Sequence, residues 1–544
     1  MKEQLKESED NHETYENFDT DTEETKKVKK KNNKYLFPIL SLLLLITLIT
    51  FLFYYSSNET STKKLSNTKT YELTTKCETT IGNRKECKTC SPGDKLQDGK
   101  CLINHSFKAI YHTGSPNEKV KLLTLPKEVI TEMNIDGNNV QPTVEYTFPQ
   151  NGDHTVYALI DMNKCYTLGG MFNGIKKLIS IEFTPLFNTE KVNEMNFMFQ
   201  NCASLKHVDV SNLNTKNVAF MEYMFAGCTS LTSLDVSNFN TENVEKMNSI
   251  FQGCSSLKSI DLSKWNSKKN KNIEYLFARC SSLTSINLAN FNTEKVEVMQ
   301  RVFIGCSSLK SIDVSSFDTK SARTMLGMFR GCTSLEKIDL SSFKTPKIRN
   351  IENMFRDCKK LTSIDLSNFE TKHVLRISGL FSGCESLTYY NFDISNARHL
   401  VDLEYLFFNC SSLTSVDVSK FNTRDIISMK KMFYGCSSLT SLDLSNFDTQ
   451  NVENMYQMFK GCSSLTSLDL SNFESYNVYN MEGMFSGCSS LKYLDISRFS
   501  GEGDTDQFLN GVPASGRVKV NTRFEDTIKR YVPKKWNVLV DENY

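Results

Sequence analysis

Apolar positions recur along most of the chain in a single pattern. In MFYGCSSLTSLDLSNFDTQNVENMYQMFKGCSSLTSLDLSNFESYNV, residues 432–478, nearly the same phrase is spoken twice, with Cys436 and Cys462 26 residues apart. That interval holds without insertion through Cys202, Cys228, Cys254, Cys280, Cys306, Cys332, Cys358, Cys384, Cys410, Cys436, Cys462 and Cys488. A degenerate thirteenth unit precedes them, with Ile175 in the cysteine slot, so the array spans residues 168–499. A fixed period of this length signals stacked supersecondary units, each too small to bury its own apolar face.

Within one unit the apolar spacing changes character. Val244, Met247, Ile250, Phe251 and Cys254 fall on one face of an α-helix. Thr241 stands where an N-cap would, and Gly253 where a helix would stop. After the cysteine the period becomes 2: Leu442 and Leu444 point inward from a short strand, and Asp443 between them points outward. The predicted fold class is an α/β solenoid with a parallel sheet on one face and helices on the other. Strands stack at ~4.8 Å and helices at ~8–10 Å, so such a body must bend. Phenylalanine three residues before each cysteine (Phe199 to Phe485) and leucine three after it (Leu205 to Leu491) are invariant across the twelve units and predict core columns. The repeat cysteines read most simply as small buried hydrophobes rather than disulfide or metal partners.

Outside the array the pattern divides the rest of the chain. Residues 102–167 alternate as strands do and predict a small β module capping the stack; residues 500–544 break the period and predict a C-terminal cap. Residues 1–34 form an acidic, then lysine-rich tail without apolar periodicity, predicted to be disordered. Residues 35–55 follow, and Leu36 to Tyr55 carries no charge; twenty residues span ~30 Å as a helix, the thickness of a bilayer core. With the lysine cluster Lys26 to Lys34 on its N-terminal side, the positive-inside rule predicts a single-pass membrane protein, its N-terminus cytoplasmic and its remainder extracellular or lumenal. A linker (56–76) then leads to a cysteine-rich module (77–101) in which Cys77, Cys87, Cys90 and Cys101 suggest two disulfides over a zinc site. Asn58 and Asn104 lie in glycosylation sequons.

Charge and chemistry then narrow the function. Sixty-four basic residues balance 63 acidic ones, which argues against nucleic acid as a partner. Seven scattered histidines and the lack of nucleophile-elbow, zinc-protease or phosphate-loop motifs predict no enzyme and no cofactor. The residue seven positions after each cysteine is the candidate binding column: Asp209, Asp235, Asp261, Asp313, Asp339, Asp365, Asp417, Asp443, Asp469 and Asp495, with Asn287 and Asn391 in the other two units. Carboxylates stacked at strand spacing repel. They either bind a basic partner or cations such as calcium, or serve the fold by accepting hydrogen bonds from nearby serines and turn amides. Lys264 to Asn272 and Tyr389 to Leu400 depart most from the consensus and are secondary contact candidates.

The motif MFxGCSSLTSLDLSNFNTxNVxxM, together with the terminal NGVPASG…YVPKKWNVLV, resembles the BspA-like leucine-rich-repeat surface proteins shared by anaerobic bacteria, mycoplasmas and protists. The resemblance covers residues 168–499. It implies a leucine-rich-repeat array displayed at a cell surface, adhering to a protein or glycan on another cell or matrix. A second expectation is a lumenal receptor or sorting protein, for which Tyr15 to Phe18 in the tail fits a tyrosine-based signal.

Overall fold

The structure is a computed structural model that describes residues 79–80, 87–89, 94–97, 100–500 and 503–542. They belong to one structural unit, residues 72–544. Its logic is set by where each backbone N–H of a coil finds its acceptor.

Residues 221–228 show the segment expected to be helical. The amides of Met224, Ala226 and Cys228 donate to the carbonyls of Met221, Tyr223 and Phe225, three residues back, at 3.1–3.3 Å. Those of Met221, Tyr223, Phe225 and Gly227 donate instead to Lys246, Asn248, Ile250 and Gln252 of the next coil, at 2.7–3.2 Å. Alternate amides thus close tight turns within the coil and ladder bonds between coils. Tyr223 (φ 56°) and Gly227 (φ 75°) sit at the third position of successive turns, which requires left-handed backbone. The same positions of the other coils are left-handed too, from Phe197 and Asn201 to Gly483 and Gly487.

The predicted helices are therefore corrected. Val244, Met247, Ile250, Phe251 and Cys254 are all buried as expected. They are buried by tandem turns, which also bring every third or fourth side chain to one side. Among the described residues the α-helical segment is Glu525–Lys529, with 3₁₀ turns at Lys127–Val129 and Thr371–His373. Coils bonded to each other through their turn segments stack there at strand-like spacing, so the expected bend loses its cause. The column from Phe172 to Phe485 stacks one ring per coil, consecutive centroids lying 5.4–6.3 Å apart.

On the opposite face the short strands pair in parallel and in register: Ser259–Asp261 with Ser285–Asn287, Ser363–Asp365 with Tyr389–Asn391, and Ser467–Asp469 with Tyr493–Ile496. Parallel bridges such as Glu194 to Phe220 to Lys246 repeat the 26-residue step. Each coil closes around fully buried Phe, Leu and Cys side chains. Burying each Leu or Phe is worth ~2–3 kcal/mol, which makes these columns the main source of stability.

At the N-terminal end, strand Phe107–Thr113 lies between antiparallel Gly152–Ile160 and Leu178–Phe183 in a six-stranded sheet. Leu178–Phe183 pairs in parallel with His207–Asp209, so this sheet runs directly into the first coils. At the other end Ser515–Asn521 and Lys535–Asp541 extend the last strands in parallel. The Trp536 indole donates to Pro513 O at 2.7 Å and covers Gly516, where a Cβ would collide with the ring.

The expected localisation is withdrawn. Among the described residues no helix is long and apolar enough to cross a membrane, and the span Leu36 to Tyr55 lies outside them. Asn58, Cys77 and Cys90 also lie outside, and the side chains of Cys87 and Cys101 are not described. Asn104 is described; its side-chain amide donates to Glu132 at 2.7 Å.

Candidate functional site: the strand face and its ladders

Where a coil carries a short strand, as at His207–Asp209, Ser259–Asp261, Ser363–Asp365 and Ser467–Asp469, the aspartate stands at its end, where the chain turns away; Asp235, Asp313, Asp339, Asp417 and Asp443 hold the same slot in coils whose expected strand does not form. The column's first task is local: the amide two residues on donates to Oδ1, as from Ser237 to Asp235 (2.9 Å), Ser263 to Asp261 (2.8 Å) and Ser445 to Asp443 (3.0 Å). Asp209, Asp313, Asp339, Asp365, Asp417, Asp469 and Asp495 make the same turn at 2.9–3.0 Å. Asn287 substitutes with its carbonyl oxygen at 3.2 Å. In the coil after Cys384 the turn is displaced two residues along the chain, to Asp393 and Ser395 (2.8 Å).

These bonds favour the ionised form. The serine hydroxyl, and next the serine amide, hold Asp235, Asp261, Asp313 and Asp417 below the ordinary carboxylate range. For Asp339 and Asp443 the amide is the larger cause. Eight of the ten aspartates stand exposed, while Asp209 is half-buried and Asp495 is buried beside Tyr493 and Lys519. Asp209, Asp235 and Asp261 line a shallow groove of about 460 Å³ with His207, Ser233 and Ser259. Among the described residues no group of three or more His, Cys, Asp or Glu side chains is placed to hold a metal ion.

Two further ladders lie behind this face, and sequence reasoning assigned neither. The Thr241 hydroxyl does not cap a helix; it donates to Asn266 O at 3.2 Å and accepts from Asn266 N at 2.7 Å, one coil on. Thr215 with Asn240 and Thr449 with Glu474 repeat the pair. One buried hydroxyl per coil thus joins neighbours in both directions. The signal for it was a threonine or serine recurring in one slot ahead of an apolar run, which also fits a helix cap. The ladder halts at Thr371: the next coil has its turn displaced and carries Ala397, without a hydroxyl, 26 residues on. A cavity of about 370 Å³ opens there, lined by Glu370, Lys372, Asp393 and Arg398 among others.

The twelve repeat cysteines are free and buried. Each thiol donates to the carbonyl of a phenylalanine in the preceding coil, from Cys202 to Phe172 (3.0 Å) through Cys488 to Phe459 (3.2 Å). Burial pushes Cys254, Cys332 and Cys436 up to about 12. A thiol so held stays protonated and unreactive.

Comparison with known proteins gives distant similarities among solved structures and one family match. A leucine-rich repeat protein from Eubacterium ventriosum is 18% identical over 59% of this chain and 81% of its own, with a TM-score of 0.30. A leucine-rich-repeat protein from Leptospira interrogans is 11% identical over 65% and 90%, with a TM-score of 0.20. The functional domain of InlJ from Listeria monocytogenes, described as including a cysteine ladder, is 13% identical over 68% and 77%, with a TM-score of 0.17. No curated protein matches the chain. The family described as "Mycoplasma protein of unknown function, DUF285" matches residues 166–288, 271–396 and 401–507. These matches cover more than half of the sequence, and the chain belongs to that family.

Proposed function

We propose that this chain is a non-catalytic recognition protein whose strand face receives a protein partner with a basic contact surface. The observation that supports this most is the aspartate column: eight exposed carboxylates, one per coil, each with one oxygen fixed by its own turn. A turn needs only an acceptor, and Asn287 makes it without charge. The turn therefore accounts for an oxygen at this slot and leaves the recurring charge for another purpose. Stacked carboxylates already fixed in place lose little freedom on meeting lysines or arginines, and their summed field speeds the encounter. The groove at Asp209, Asp235 and Asp261 brings three of these carboxylates together and is proposed as the centre of the contact.

Capture from cell extracts with the full chain as bait tests this. A bound protein should be released by salt and lost when Asp235, Asp261 and Asp313 are changed together to Asn, which keeps each turn acceptor. Equal recovery by the Asn variant would sink the proposal. Capture with and without calcium separates direct contact from a cation bridge.

A further inference from the structure

On the turn side of the array, away from the aspartates, regularity lapses over the coils that end at Cys384, Cys410, Cys436 and Cys462. Two observations coincide there. The first is a column nine residues before each cysteine, where the residue is charged in six of the nine other coils, as at Glu245, Glu297, Arg323 and Arg349. Here it becomes Leu375, Val401 and Ile427 in three successive coils, exposed by 38%, 44% and 43%. Ile427 N donates to Val401 O at 2.7 Å, so these two side chains stand on adjacent rungs.

The second is a cluster of ammonium groups over aromatic rings. Lys431 Nζ lies 5.3, 5.5 and 5.8 Å from the ring centroids of Tyr456, Tyr434 and Tyr405. Lys430 shares Tyr405 and Tyr456, and Lys460 shares Tyr434, at 5.7–6.0 Å. None of the three makes an ion pair with a described carboxylate. Glu404, next to Lys430 in its column, instead accepts from the Ser428 hydroxyl at 2.6 Å. Partial burial, then the neighbouring ammonium groups of Lys430 and Lys460, lower the pKa of Lys431. Three positive charges are gathered with no ion pair to them among the described residues. Ile427 and Lys430 are three residues apart, at most ~10 Å by chain reach, so stripe and cluster form one surface.

We infer that this turn-side surface binds an acidic, amphipathic segment of a protein partner, its carboxylates on Lys430, Lys431 and Lys460 and its apolar side chains on Leu375, Val401 and Ile427. Charge complementarity supplies the anion, and the aliphatic stripe selects a peptide. A sulfated polysaccharide has nothing apolar to lay on three branched side chains, and the ring faces it would stack on already carry the lysines. The inference is independent of the strand-face proposal, since the two surfaces are different and of opposite sign.

The repeat supplies substitutions that should fold, because other coils carry the replacement in the same slot. Lys430→Glu, Lys431→Gly and Lys460→Ser install the residues of Glu482, Gly483 and Ser486. Leu375→Ala, Val401→Ala and Ile427→Ala install that of Ala219 without changing charge. The full chain is titrated against a fluorescein-labelled peptide of alternating glutamate and leucine and, separately, against heparin, by fluorescence anisotropy. The expected result is peptide binding that falls about tenfold or more in the lysine variant and severalfold in the alanine variant, with the aspartate-to-asparagine variant unaffected. Peptide affinity unchanged in both turn-side variants overturns the inference. So does heparin binding that needs the lysines, if neither ligand responds to the alanine substitutions.

Discussion

At the residue scale, the left-handed positions carry a steep and local cost. Gly461 (φ 78°) closes a turn with its Cα side against the backbone of Gly435, whereas Gly114 has ordinary φ and open space around its would-be Cβ. Gly461→Ala should cost ~1–2 kcal/mol and Gly114→Ala almost nothing, as read from urea midpoints. The thiols make a second prediction. Their folded pKa lies above the ordinary 9.0, up to about 12 for Cys332, so the unfolded chain gives up protons first as pH rises. Stability from this source is fully present below pH 9, declines as pH climbs from there toward about 12, and sums over many coils. Urea midpoints across that alkaline range should fall steeply; a flat profile would refute thiol burial. These residues were legible in part. The Phe, Leu and Cys columns followed from invariance and apolarity alone. The role of Thr241 did not, because its partner Asn266 is 25 residues away and nothing local distinguishes a hydroxyl bonding across coils from one capping a helix.

At the scale of the element, the lesson concerns the segment from Val244 to Cys254. Its inward spacing of three and four is shared by an α-helix and by tandem turns, so periodicity could not separate them. What does separate them is glycine in two slots four residues apart, as at Gly327 and Gly331 or Gly379 and Gly383. A helix interior would lose ~1 kcal/mol at each, whereas a left-handed turn position favours them. Far-UV circular dichroism of the purified chain should accordingly lack the paired minima of a helix-rich protein. A strong helical signal would contradict the turn ladder. The alternation at Leu442, Asp443 and Leu444 told which side faces the core, with Leu444 buried and Asp443 exposed, but not that this coil forms no strand while the next one does, at Ser467–Asp469.

At the scale of the whole array, every coil hands its neighbour the same donors and acceptors that it receives. Stability is then close to a sum of coil and interface terms. Deleting residues 437–462, one full period, joins Cys436 to Ser463 in the register that Ser437 held. The product should remain folded with a modestly lower melting temperature. Deleting only residues 437–449 misaligns every ladder beyond the cut, and limited proteolysis should then degrade the C-terminal coils. The turn displaced to Asp393 was not legible in the sequence, because the coil from Cys384 to Cys410 keeps its length of 26 while moving its turn by two residues.

The direction of the ladder bonds has a mechanical consequence. They run from coil to coil, along the line on which tension applied at the two ends of the array would act. Such a load meets the bonds of a single coil at a time rather than many in shear. Under a stretching force the array should unravel like thread from a spool, each coil releasing ~90 Å of chain before the next gives way. A protein built this way yields gradually to a pull and rewinds against the layer that still holds.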